Sequence, residues 1–164
     1  LIQGLNPYAA AILAERAGTG ATEAGFVIGA TGLGAFTYAV FAPAIVRHLG
    51  PRRMTRSGGA VIGLGMALFG VAFIPWWIAP AFFFLIGFGF FLLHNNLQTQ
   101  ATELSQTHRG SAVALFAGSF FSGQAFGPLM FGLAISTLGV TPALLLFGLI
   151  LTAFGFVAAR ALRL

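Results

Sequence analysis

The chain contains no cysteine, which removes disulfides, thiolate nucleophiles and Cys-ligated metals and leaves the redox compartment open. It also has no lysine, since all eight of its basic residues are arginine, and only three acids, Glu15, Glu23 and Glu103. Membrane-embedded or not, an enzyme needs His, Asp or Glu gathered at one place. Three carboxylates scattered along the chain do not supply that, so the chain is expected to be no enzyme and to hold no cofactor or metal. Charge of either sign is scarce: 7% of residues are charged, against about 25% in a soluble globular chain.

What fills the sequence instead is apolar. Of 164 residues, 58% are hydrophobic, 19 are Phe, 23 are Gly, and the mean hydropathy is +0.94. The glycines sit inside apolar runs, as in membrane helices whose backbones approach closely. The net charge of +5 does not point to nucleic acid, because the arginines lie at the ends of apolar runs and form no sustained basic stripe.

A bilayer core requires about 20 apolar residues of helix. Five segments meet or approach this, at 26–46, 57–74, 77–98, 111–136 and 142–159. Residues 1–13 are too short to cross and lack the basic start of a signal peptide, and read as the end of a truncated span. The runs are continuous rather than alternating with period two, which excludes barrel strands. The expected fold is therefore all-α, a polytopic transmembrane helical bundle of five full spans plus the end of another, as one domain over 1–164. Tight connections near Pro75 and between Gly139 and Pro142 make neighbouring helices antiparallel.

Topology follows from the arginines. Arg47, Arg52, Arg53, Arg56, Arg109, Arg160 and Arg163 fall on one side, and Arg16 alone falls on the other, between Glu15 and Glu23. Loops rich in Arg face the cytoplasm, so the basic loops and the C-terminus are expected inside. Trp76 and Trp77 mark the opposite interface, where indole rings favour the boundary. Arginine without lysine is the usage of a GC-rich bacterial genome, and the expected location is a bacterial inner membrane.

Polar side chains are costly in hydrocarbon, so their distribution indicates which helices face a cavity. The second span carries none between Val61 and Ile74 and the fifth only Thr152, which makes both peripheral by this criterion. The first (Thr31, Thr37, Tyr38), third (His94, Asn95, Asn96, Gln98) and fourth (Ser119, Ser122, Gln124) face the interior. On the third span Phe84, Phe88, Phe91, Asn95 and Gln98 share one helical face, a stripe aromatic at one end and amide-bearing at the other. Such a stripe suits a greasy or cationic solute; packing against neighbouring helices is the alternative, and both stay open. His94 is the one ionisable side chain inside a span and a candidate proton relay, or else a hydrogen-bonded interfacial residue. Glu15, Glu23 and Glu103 are placed in loops, leaving no carboxylate in the membrane for proton coupling. On the fourth span Phe116, Phe120 and Gln124 repeat at four-residue spacing, and Phe120 and Gln124 continue the candidate pathway.

Pro128 and Pro43 cannot donate to the carbonyls of Gln124 and Ala39, so kinks are expected there. The pairs Gly25 with Gly29, Gly59 with Gly63, and Gly123 with Gly127 give flat faces for close packing.

Two stretches carry a family resemblance. The loop Pro43-x-x-x-Arg47-His48-x-Gly50-Pro51-Arg52-Arg53 resembles the cytoplasmic motif of the major facilitator superfamily: Gly50, Arg52 and Arg53 fit its Gly and basic positions, while Pro43 stands for its leading Gly and Arg47 for its Asp. In the family that Asp belongs to a charge network that latches the inside closed. The run Gly123-x-x-x-Gly127-Pro128-x-x-Phe131-Gly132 resembles the Gly-Pro helix motif of the family's drug antiporters, with Phe131 in place of one Gly. The run from His94 to Gln98 followed by Arg109-Gly110 is also similar to the C-terminal half of this family.

The resemblance implies a secondary transporter of small solutes working by alternating access, in the manner of a proton-coupled efflux porter. The same fold serves nutrient or metabolite importers, and a non-transporting membrane subunit would share the composition. The missing Asp and the short basic tail match the C-terminal half, whose implied partners are membrane lipid, a small-molecule substrate and the N-terminal half of the same protein, and no nucleic acid. Without that half, the segment is expected to be unstable.

Overall fold

A computed structural model describes residues 4–71, 75–103 and 109–161. Among these residues the secondary structure is helical, with no strand. Helix α1 (Asn6–Ala17) carries Pro7 in its first turn, where an amide hydrogen has no helical partner. It stops at Gly18, whose left-handed backbone (φ 62°) turns its amide onto the carbonyl of Ala14.

The segment α2 (Ala21–Val71) consists of two helical arms joined at Gly50. At Gly50 the backbone takes φ 69°, ψ 165°, a conformation essentially restricted to glycine. The two arms on either side, 21–49 and 51–71, both lie along α3 (Ala79–Glu103). On the N-terminal arm Thr31 meets Gly87 and Tyr38 meets Phe91, whereas on the C-terminal arm Gly58 meets Leu93 and Phe69 meets Phe83. Register rises along one arm and falls along the other. The arms are therefore antiparallel, and Gly50 is the reversal between them.

Helices α4 (Arg109–Leu138) and α5 (Val140–Ala161) complete the bundle, separated only by Gly139 at φ 87°. Among the described residues four helices are long and apolar enough to cross a membrane: α2, α3 with its preceding 3-10 turn (Trp76–Ile78), α4 and α5. Because α2 supplies two antiparallel arms, the chain traverses the bundle five times, with α1 as a shorter element. Residues 72–74 of the expected second span and 1–3 of the expected partial span lie outside the described residues. One end of the bundle carries Arg47, Arg52, Arg53, Arg56 and Arg160, and the other carries Trp76 and Trp77.

The second span is not peripheral. The C-terminal arm of α2 is the most enclosed element, with Met54, Thr55, Ile62, Met66 and Phe69 all buried between α3 and α5. Polarity misleads here because glycine, not a polar group, brings the neighbours in. A Cβ on Gly59 would meet Leu151 O at 2.7 Å and the Gly155 Cα at 2.9 Å, and one on Gly63 would meet Gly148 O at 2.7 Å. Backbones in contact gain dispersion over a long seam, which is the main source of association where lipid removes the hydrophobic drive. The fifth span is intermediate, since α5 buries one face on this arm and exposes Leu149 and Val157 on the other.

Of the other glycine pairs, Gly25, Gly29 and Gly123 meet nothing within 4 Å. Gly127 is approached by Gly4 at the start of the chain, and Gly132 by the ring of Tyr8, whose hydroxyl donates to Pro128 O at 3.1 Å. The helices run through Pro43 and Pro128 without interruption, and the break in helical dihedrals falls at Gly50 instead. The acids are not in loops either: Glu15 lies on α1, Glu23 in the first turn of α2 and Glu103 at the end of α3. Helix ends near the interface tolerate charge that the middle of a span would not.

Candidate functional site

Helix α3 positions most of the candidate residues. It is held against the N-terminal arm of α2 so closely that a Cβ on Gly87 would collide with the carbonyl oxygen of Thr31, and one on Gly34 would lie 2.6 Å from Phe88 N. This contact sets the arm across the aromatic part of the stripe. Phe84 and Phe88 stack at 6.3 Å, and Phe88 and Phe91 each lie 6.3 Å from the ring of Tyr38, which is buried.

A second aromatic group forms where α3 meets α4. His94 stands 4.5 Å from Phe120, 5.5 Å from Phe116 and 5.1 Å from Phe90. No hydrogen bond to its imidazole forms among the described residues; it is enclosed by rings. Phe90 and Phe91 touch edge to face at 5.2 Å, so the two groups are continuous. One row of rings therefore runs from the N-terminal arm of α2, across α3, to α4.

The amides divide. Asn96 is buried and donates to Thr55 Oγ1 at 2.6 Å and to Pro51 O at 2.9 Å. Asn95 and Gln124 are half-buried, Gln98 is exposed, and within the described residues none of their side-chain amides has a partner. Ser119 and Ser122 are exposed on α4. Only 6% of the apolar stretch of α4 is buried, against 39% in α3 and α5; Phe116 and Phe120 turn toward α3, while Ser119, Ser122, Phe121 and Phe126 are exposed.

The basic loop is organised by its neighbours. Pro51 O accepts from Asn96 and Thr55, and Arg52 Nε donates to Ala159 O at 3.3 Å near the end of α5. Arg53 is exposed, and Arg47, in the position of the motif's Asp, lies 3.4 Å from His48 Nε2. On the fourth-span motif, Gly127, Pro128 and Gly132 contact the start of the chain and α1, while Gly123 stays open. Among the described residues no group of three His, Cys, Asp or Glu lies close enough to hold a metal ion.

Residues that sequence patterning passed over are as informative. Arg16 does not sit in a loop between acids. From the last turn of α1 it donates to Phe69 O at 3.2 Å, Gly70 O at 3.0 Å and Thr141 Oγ1 at 2.7 Å. Thr141 donates in turn to Gly70 O, so one guanidinium gathers α1, the end of α2 and the start of α5. A cation at a helix C-terminus is favoured by the partial charge there. Phe90 joins the aromatic row only because α3 and α4 cross where they do, which no periodicity reveals, whereas Phe116 belongs to the four-residue repeat with Phe120 and meets His94.

The family model described as Major Facilitator Superfamily matches residues 1–164. The chain belongs to this family. No curated protein and no solved structure matches it. A major facilitator chain of this architecture is an integral membrane protein, and the family is one of membrane transporters.

Proposed function

We propose that this major facilitator chain is the C-terminal half of a secondary transporter that exports small, partly apolar solutes by alternating access, coupled to protons, with its basic end in the cytoplasm of a bacterial inner membrane. The observation that carries the reading is the aromatic row from Tyr38 and Phe88 through Phe91 and Phe90 to His94 and Phe120, bordered by the unpaired amides of Asn95, Gln98 and Gln124. Rings offer dispersion and cation–π attraction to a greasy or positively charged solute, and amides free of partners can exchange hydrogen bonds with it. Pathway residues and packing residues differ in this respect: Asn96, one position away, has both of its donors committed to α2.

The N-terminal half supplies the other wall and the principal proton carrier in this reading, since Glu15, Glu23 and Glu103 all lie near helix ends. The partners are thus membrane lipid, a small-molecule substrate and that half. The test is uptake of a lipophilic cation into proteoliposomes holding the full-length transporter, with and without an imposed pH gradient. Gradient-driven movement that is lost in an Asn95→Ala/Gln98→Ala double variant is expected. Movement retained in the variant would assign the stripe to packing, and movement of nutrients but not of lipophilic cations would favour an importer.

A further inference from the structure

At the basic end, α5 and the C-terminal arm of α2 cross at glycines: a Cβ on Gly155 would meet Thr55 O at 2.8 Å and Gly59 Cα at 3.0 Å. This close crossing leaves a shallow groove whose rim is cationic. Arg52 is anchored to Ala159 O through Nε, which holds its terminal nitrogens outward at the end of α5. Arg56, one turn deeper on the same arm, lies with Cζ 6.0 Å above the ring of Phe156. Arg160 follows Ala159 directly and stands one turn beyond Phe156 on α5.

Three exposed arginines thus stand beside this crossing on two helices, Arg52 and Arg56 in contact with α5 and Arg160 on it. Among the described residues none has an acidic partner. Glu103, the acid of this end, is on α3, while Glu15 and Glu23 belong to α1 and the start of α2. Like charges brought together repel unless an anion joins them. Arginine forks match phosphate oxygens in pairs, and a ring beneath one of them fixes its direction. Beside the arginines Phe156 is itself exposed, and Leu149, two turns back on the same side of α5, is exposed as well, an apolar flank that suits acyl chains and no soluble ion.

We propose that this groove binds the phosphodiester headgroup of an anionic phospholipid, with Arg52, Arg56 and Arg160 as its ligands and Phe156 as the platform that orients Arg56. The site depends on the membrane setting of the chain and not on what is transported. Depth agrees with this: the guanidiniums occupy the first turns of one helix and the last turn of the other, where phosphates of a leaflet lie and where basic pockets between spans take up anionic lipid.

The test is native mass spectrometry of the full-length transporter in mild detergent, titrated with phosphatidylglycerol or phosphatidylcholine, for wild type, Arg56→Gln/Arg160→Gln and Arg47→Gln. Phosphatidylglycerol is expected to bind the wild type in preference to phosphatidylcholine. Its affinity should fall about fivefold for each groove arginine removed and less than twofold in Arg47→Gln. Equal losses in Arg47→Gln and in the groove variant, scaled per charge, would overturn the site in favour of a diffuse basic surface. Inorganic phosphate is the soluble control: displacement of the lipid at low millimolar phosphate would overturn the lipid assignment, and retention supports it. Should the double variant not fold, Phe156→Leu keeps every charge and is expected to weaken phosphatidylglycerol binding two- to threefold; unchanged binding in that variant would overturn the proposal.

Discussion

The side-chain amide of Asn96 ties α3 to the start of the C-terminal arm of α2, donating to Thr55 Oγ1 at 2.6 Å and to Pro51 O at 2.9 Å. Thr55 also donates to Pro51 O at 2.9 Å, so one carbonyl beside the Gly50 reversal collects two donors. Pro51 has no amide hydrogen and sits where the helix restarts, and this side-chain network holds its carbonyl. Asn96→Ala is expected to cost about 1 kcal/mol, within the range of interhelical hydrogen bonds in membranes, and Thr55→Val somewhat less. Thermal unfolding of the full-length transporter in detergent measures both. An Asn96→Ala protein that melts with the wild type would show that the network contributes nothing.

Gly87 and Gly34 should be far more sensitive than Gly25 and Gly29, although all four occupy apolar helices. A Cβ on Gly87 or Gly34 collides with backbone atoms that cannot yield, whereas Gly25 and Gly29 face open space. Overpacking of this kind costs about 1–3 kcal/mol or more. Gly87→Val should lower the yield of folded protein and its melting temperature, while Gly25→Val and Gly29→Val leave the helices of this chain packed. Size-exclusion profiles of the three variants separate the two classes, and equal behaviour would contradict the contact between α3 and the N-terminal arm.

Gly50 carries the reversal of α2 alone. Its φ of 69° with ψ of 165° is strained for any residue with a Cβ, at about 1–3 kcal/mol. Gly50→Ala is expected to destabilise by that amount without removing any side-chain contact, which a melting curve would show.

Arg16 should matter for stability as much as any residue in the core. Removing it with Arg16→Met takes the guanidinium from Phe69 O and Gly70 O at the end of α2 and leaves Gly70 O with Thr141 alone, and a lost charged hydrogen bond is worth about 1.5–3 kcal/mol. Thr141→Val removes one acceptor and one donor of the same knot and should act in the same direction with smaller size. The pair together should be less than additive because they share partners. A double-mutant cycle on melting temperatures checks this, and strict additivity would show that the knot is not one unit.

Much of the fold could be read in advance because lipid imposes long continuous apolar runs, and Pro, Gly and Arg mark where they stop. The helices themselves follow from Phe26, Trp77 and Val140 onward with little ambiguity. Which helix lies in the middle did not follow, because the seam of Gly59, Gly63, Gly148 and Gly155 buries the C-terminal arm of α2 without any polar signal. The stripes of Phe84, Phe88 and Phe91 on α3 and of Phe116 and Phe120 on α4 were visible as periods, but only the crossing of separate helices joins them to each other and to Tyr38 and Phe90. Asn95 and Asn96 show the same limit at single-residue scale. They are equal in type and adjacent in sequence, yet a helix turns one of them into a tie and leaves the other unpaired. Arg16, flanked by polar residues and acids, carried no mark of the three acceptors that the fold brings to it.

The most direct test of the central claim, that the unpaired-amide side of α3 borders a solute pathway, is cysteine accessibility. The chain has no cysteine of its own, so a thiol introduced by Asn95→Cys is the one site of labelling within it. In oriented vesicles holding the full-length transporter, a membrane-impermeant maleimide should label Asn95→Cys from the basic side, the rate should change when a transported lipophilic cation is added, and Asn96→Cys should stay unlabelled. Labelling of Asn96→Cys as fast as Asn95→Cys, or no labelling of Asn95→Cys from either side with the protein shown to be folded, would contradict the account.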